Sequence, residues 1–300
     1  MTPRASVVVA SFSGEEPLRR CFESLKPLGP DVEIVVATDA GAGVVERLVH
    51  DCPAAVFVRA PAGTNVFRLR AQGVDAASGR FVALTEDHCE VVPGWLESLL
   101  ECLEAGHSIV GGPVEAGLDQ RTYDRALYLC EYGLHMPPLS DGPVSSLSGL
   151  NVAYPRERLL ACRSTWHEAF YEPEVHEALR AAGCELHRVA RAGVKTFLRM
   201  PLAVAIPHLF RGGLRYGGRR RLRVPEWTRP MLALGAPALP TLLLWRIARA
   251  TLGRRRERLA WIGSGLPYMV LLLGAWSGGE AAGYLSAARG NSRAEPPQGA

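Results

Sequence analysis

The chain predicts an α/β fold built on a parallel sheet. Short apolar, β-branched runs alternate with stretches of helical period through the first half of its 300 residues. Turn-forming residues punctuate them. An acidic cluster, Thr85-Glu86-Asp87-His88-Cys89, stands at the end of one apolar run, where a parallel sheet opens its ligand crevice.

The elements follow in chain order. Ala5 to Ala10 is β-branched and reads as the first strand; Ser11-Phe12-Ser13-Gly14 leads into a helix from Glu15 to Leu25, with Pro17 tolerated in its first turn. Val32 to Ala37 is the second strand, Thr38-Asp39-Ala40-Gly41 a turn, and a helix runs on to about Val49. A third strand lies near Ala55 to Val58. From Asn65 to Ala77, Val66, Leu69, Gly73 and Ala77 recur at helical spacing, with Arg68, Arg70 and Gln72 off that stripe. Phe81-Val82-Ala83-Leu84 is the strand that ends in the acidic cluster. Pro93-Gly94-Trp95-Leu96 opens a helix to Glu104, and Ser108 to Val114 reads as one more strand.

Two carboxylates beside an imidazole suit a divalent cation, Mg²⁺ or Mn²⁺, since hard oxygens favour both and Mn²⁺ accepts histidine. A strand followed by a solvated acidic turn is the alternative. Further on, Ser148-Gly149-Leu150-Asn151 is a tight-loop sequence. Glu172-Pro173-Glu174-Val175-His176 leads a helix stopped by Gly183. An acid just ahead of a helix is stabilised by the helix dipole whether or not it does chemistry.

In the order of these pieces, from about Ala5 to about Phe197, the chain resembles a family-two glycosyltransferase with the GT-A fold, a Rossmann-like nucleotide-diphospho-sugar transferase architecture. The resemblance implies a nucleotide-sugar donor and inverting transfer to an acceptor hydroxyl. Glu86 and His88 fall at the two acidic positions of the family's Asp-x-Asp metal motif, with Asp87 available as a substitute ligand. Asp39 takes the place of the base-binding acid, where the family has adjacent acids and this chain has Ala37-Thr38-Asp39. Arg70 aligns with the family's basic position toward the diphosphate. Gly149 and Asn151 match the acceptor-side Gly-x-Asn segment. Glu172 falls where the family keeps its general base, with Glu168 and Glu174 as local alternatives and His176 one turn on to orient it. The basic stretch after the core, with Arg211, Arg215 and Arg219, matches a segment that in the family can lie over the diphosphate.

Beyond Phe197 the composition changes. Arg211 to Arg223 is strongly basic with interleaved apolar residues, yet no nucleic-acid module accompanies it, so no nucleic-acid partner is expected. Two apolar segments follow, Pro230 to Trp245 and Leu259 to Trp276. Both flanks of the first are basic, which suits a re-entrant or in-plane helix on an anionic membrane surface better than a simple crossing. Packing as soluble helices is the alternative. The expected organisation is a GT-A catalytic domain over 1–205, a basic linker over 206–229, a hydrophobic helical membrane-associated appendage over 230–289 and a disordered tail over 290–300.

Net charge +4 and a pI near 8.7 suit a protein that meets an anionic surface. Seven dispersed cysteines without paired metal spacing read as reduced thiols in a cytosolic compartment, and the early first strand argues against a signal peptide. The expectation is a membrane-associated glycosyltransferase with its catalytic domain in the cytoplasm, acting on a lipid-linked or glycan acceptor in envelope polysaccharide or glycolipid synthesis. A non-catalytic nucleotide-sugar-binding scaffold is the competing class. A Rossmann dehydrogenase lacks its Gly-x-Gly-x-x-Gly turn, because Ser11-Phe12-Ser13-Gly14 stands there.

Overall fold

The computed structural model describes residues 2–117 and 121–286. The alternation runs β1 (Ala5–Ser11), α1 (Glu15–Leu25), β2 (Val32–Thr38), α2 (Ala42–Asp51), β3 (Val56–Arg59), α3 (Val66–Ala76) and β4 (Phe81–Glu86). Next come β5 (Cys89–Val91), α4 (Trp95–Glu104), β6 (Ile109–Gly111), β7 (Val114–Ala116) and α5 (Thr122–Tyr132). They are followed by β8 (Gly142–Pro143), β9 (Val152–Pro155), α6 (Arg156–Ala161), α7 (Arg163–Trp166), α8 (Glu172–Ala181), β10 (Leu186–Arg188) and β11 (Val194–Thr196). The remainder is helical: α9 (Leu202–Arg221), α10 (Thr228–Gly235), α11 (Leu239–Arg254) and α12 (Leu259–Leu285). The described residues form two compact units, one from 2–117 and 135–197, the other from 121–134 and 198–286.

In the first unit an eight-stranded sheet has the order β3-β2-β1-β4-β9-β6-β10-β8. Every residue of β1 is buried, as its unbroken apolar run requires of a central parallel strand. β1 pairs in parallel with β2 on one side and β4 on the other, so the strand order reverses there and a crevice opens at their carboxyl ends. Helix α3 closes tightly on this sheet. Its Asn65 cap accepts the Arg68 N–H at 3.0 Å, and a Cβ on Gly73 would lie 2.4 Å from Val8 Cγ1.

The sheet is mixed rather than wholly parallel. β9 runs antiparallel to both β4 and β6. The single strand expected over Ser108 to Val114 is two: β6 stays in the large sheet, while β7 joins β11 and β5 in a small three-stranded sheet. Gly111-Gly112-Pro113 makes the switch. Proline brings no N–H to a ladder, and a Cβ on Gly112 would sit 1.7 Å from Ala192 O.

The second unit packs α9 along α12 through glycines. A Cβ on Gly213 would lie 2.0 Å from Trp276 O, one on Gly217 2.2 Å from Glu280 O, and one on Gly279 1.9 Å from Phe210 O. These spacings, Gly213-x-x-x-Gly217 and Gly279-x-x-x-Gly283, let two backbones approach as small-residue helix pairs do. Within the basic stretch 206–229, residues up to Arg221 belong to α9. The stretches Thr228–Arg254 and Arg256–Leu285 are long and apolar enough to cross a membrane, and only 17% and 22% of their most apolar windows are buried. The tail over 290–300 lies outside the described residues.

Candidate active site

The acidic cluster is built into the crevice at the end of β4. Glu86 is the last residue of that strand and Asp87-His88 turn the chain into β5. Asp87 Oδ2 accepts the backbone N–H groups of Phe12 at 2.7 Å and Ser13 at 2.6 Å, which binds the end of β4 to the loop after β1. Neither donor was visible as a site feature in the sequence, because backbone amides leave no side-chain signal. His88 lies between the two acids, with Nδ1 3.4 Å from Asp87 Oδ1 and Nε2 3.3 Å from Glu86 Oε2. Burial lowers its pKa, but the hydrogen bond to Asp87 and the charges of Glu86 and Asp87 outweigh that and raise it.

Arg70 joins this strand end to α8. Its side chain is buried and Arg68 is exposed, so one face of α3 has chosen between them. Arg70 Nη2 donates to Glu86 Oε1, and Nη1 donates to Glu172 Oε2 at 2.9 Å. The helix period contained this signal: Arg70 is four residues after Val66 and three before Gly73, on the margin of the buried stripe. Gly149 makes room for the pair. A Cβ there would lie 2.6 Å from Glu172 Cδ and 2.7 Å from Arg70 Nη1.

Of the local acids, Glu172 alone meets the Arg70 guanidinium among the contacts just given; Glu168 is exposed beside His167, and Glu174 is buried in α8. His176 does not meet Glu172. Its Nε2 is 2.8 Å from Tyr154 Oη, and burial with Arg180 and His135 nearby pushes its pKa down to about 3. Asn151 is fully buried and acts as a strut: it accepts from Trp95 Nε1 at 2.8 Å and donates to Pro113 O at 2.9 Å and Ala192 O at 2.8 Å. Both its N–H donors are engaged. Asp39, following β2, accepts the Gly63 N–H at 2.9 Å; burial, with some help from the Asp87 charge, raises its pKa. Arg215 is on α9, in the second unit.

The cluster carries the residue types a divalent cation takes, with donor atoms that do not converge on one point as those of a formed site do. Asp87 Oδ1 and His88 Nε2 are buried, and the ion-pair contacts of 3.4 and 3.3 Å just given fall short of well-formed hydrogen bonds, which leaves both atoms able to meet a ligand. Two carboxylates and an imidazole are ligand types that a divalent cation accepts. A cavity of about 780 Å³ lies elsewhere, at the amino ends of β1 and β4, lined by Arg4, Arg80, Arg156, Arg158 and His107 among others.

A buried arginine joining two acids, with an acidic turn tied to the first strand, lies at the topological switch point where open α/β sheets bind ligands. Residues 6–150 match the family model described as "Glycosyl transferase family 2". This segment of the chain is similar to the family-two glycosyltransferase domain. Over 131 residues, 41% of the chain, it is 30% identical to polypeptide N-acetylgalactosaminyltransferase 12 of Mus musculus. It is 36% identical over 66 residues, 22% of the chain, to the putative polypeptide N-acetylgalactosaminyltransferase 13 of Drosophila melanogaster. The matches cover 23% and 12% of those proteins, so the chain spans less than a quarter of the curated relatives' length.

Among solved structures, S. aureus TarS 1-349 superposes with a TM-score of 0.50 at 10% identity, over 88% of this chain and 71% of that one. GalNAc-T7, crystallised with UDP, GalNAc and Mn²⁺, superposes with a TM-score of 0.50 at 15% identity, over 75% of this chain and 52% of its own. Both are glycosyltransferases of the GT-A fold, which is the fold of the first unit.

Proposed function

We propose that the first unit transfers a sugar from a nucleotide-diphosphate donor to an acceptor hydroxyl, with inversion at the anomeric carbon. The observation that carries this reading is the Glu86, Arg70, Glu172 chain, in which one buried guanidinium couples the acidic strand end to an acid on α8. Arg70 engages Glu172 through Oε2, which leaves Oε1 to take the proton from the acceptor oxygen as it attacks. Attack comes from the face opposite the departing nucleoside diphosphate. Asp39 stands at the crevice edge for the base, and Gly149 keeps the space beside Glu172 open. Asn151 holds the Gly149 segment from beneath. His176 supports α8 through Tyr154.

Glu86, Asp87 and His88 would hold Mg²⁺ or Mn²⁺, and the cation would supply positive charge against the leaving diphosphate. The neighbour crystallised with UDP and Mn²⁺ supports that assignment. The second unit's apolar helices support attachment to a membrane surface, with the catalytic unit on the cytoplasmic side and a lipid-linked or other glycan acceptor. The relatives' names make UDP-N-acetylgalactosamine the first donor to try.

The test is calorimetric titration with UDP, GDP and dTDP, with and without Mn²⁺, alongside donor turnover by the wild type and Glu172→Gln. A base that leaves the site intact when neutralised predicts unchanged nucleotide affinity and turnover reduced by about 10²- to 10⁴-fold. Binding of a nucleotide with no turnover by the wild type favours the scaffold. Wild-type turnover by Glu172→Gln ends the base assignment.

A further inference from the structure

We propose that Cys102, His107 and His187 form a zinc site distinct in place and chemistry from the acidic strand end. One donor atom from each, a sulfur and two imidazole nitrogens, lies within 4.8 Å of the others. Among the described residues this is the group of ligating side chains that converges in this way.

The chain builds the site from two directions. Helix α4 ends in a Schellman turn: the His107 N–H bonds to Cys102 O at 3.3 Å, the Gly106 N–H bonds to Leu103 O at 3.0 Å, and Gly106 takes φ 100°. That turn sets Cys102 and His107 beside each other at a fixed backbone geometry. His187 arrives on β10, whose register against β6 places it opposite Val110, three residues after His107. The two imidazole rings are 3.9 Å apart between centroids with 33° between planes. The Asp141 carboxylate is near enough to act electrostatically on both Cys102 and His187, and it accepts the Ala190 N–H at 2.5 Å.

The donor chemistry selects the metal. One thiolate and two imidazoles form a soft, nitrogen-rich set that suits Zn²⁺ or Co²⁺ and not the Mg²⁺ or Mn²⁺ expected at the carboxylates. Bonds of ~2.3 Å to sulfur and ~2.0 Å to nitrogen would draw donors now within 4.8 Å slightly inward, and exposed His107 is free to turn. His107 also borders the arginine-lined cavity, so a fourth position there would carry water. The metal would staple the end of α4 to β10.

Co²⁺ titration of the purified full-length protein tests this by absorption, because a cysteine thiolate bound to cobalt gives a charge-transfer band. The wild type is expected to show the band, and Zn²⁺ to abolish it by displacement. Cys102→Ser should remove it, and His107→Ala, at an exposed position that does not threaten folding, should weaken Co²⁺ binding by about tenfold or more. Zn²⁺ should raise the wild-type Tm by several degrees and leave that of Cys102→Ser unchanged, with far-UV circular dichroism confirming that both are folded. Absence of the band in wild type, or its persistence in folded Cys102→Ser, overturns the site.

Discussion

A methyl group added at Gly149 has no room between Glu172 Cδ and Arg70 Nη1, both within 2.7 Å of it. Backbone strain is not the issue; space is. Gly149→Ala should therefore push the Glu172 carboxylate away from the crevice. We expect kcat to fall by about 10²-fold, the scale of an ångström of misplacement, with nucleotide affinity little changed; steady-state kinetics would check it. His176 yields a pH prediction. Its folded pKa of about 3 lies below the ordinary value of 6.5, so it is neutral in the fold and takes a proton on unfolding. Stability should thus fall as pH drops below about 6.5, by about 2 kcal/mol at pH 5 from this group alone. Urea unfolding of wild type and His176→Gln at pH 7 and 5 should show the variant losing less. Equal losses would remove His176 as the acid-sensitive group.

Elements were legible wherever burial and period coincide. β1, α1 and α4 fall close to the ranges their patterns predict, since each buries one continuous apolar run or stripe. The split of β6 from β7 was not legible, because the close approach of Ala192 to Gly112 comes from a loop eighty residues later. The same holds for α9 and α12, whose glycines read as scattered until the two helices are laid side by side. Adding a Cβ at Gly279 would bring it 1.9 Å from Phe210 O. Gly279→Ala should therefore spread the helix pair and destabilise the second unit by about 1–3 kcal/mol, seen as a lower Tm in detergent. A Tm equal to wild type would mean that the pair is not packed this closely. Within α12 the single carboxylate, Glu280, is buried, accepts the Tyr284 hydroxyl at 2.8 Å and lies 3.9 Å from Arg220 Nη1, which makes an acid tolerable in an apolar helix.

For the whole molecule the decisive contrast is between a buried α/β unit and a helical unit with large exposed apolar side chains. Leu234 is 81% exposed, Trp227 70% and Met231 62%, on a stretch that also carries arginines at both flanks. Such surface is unfavourable in water and favourable at a lipid interface. The full chain should sediment with anionic liposomes and resist a high-salt wash, since apolar burial is not screened as charge pairing is. Release by salt would point to a purely electrostatic attachment. Recovery in the supernatant from the outset would return the helices to soluble packing.

By itself the sequence determined the alternating architecture, the strand Phe81 to Leu84 that runs into the acidic cluster and the helix that Glu172 leads, because local period, turn residues and caps act over a few residues. It also determined which residue types were present for chemistry. Only the tertiary structure decided which of them work together. Arg70 rather than Arg68 faces the crevice, Glu172 rather than Glu168 meets it, His176 bonds Tyr154, and Asn151 is a strut. Cys102, His107 and His187, unremarked as a set along the chain, converge. The physical reason is common to all of these: side-chain partners more than a turn of helix apart are set by how elements pack, and packing is a property of the folded chain rather than of any window of it.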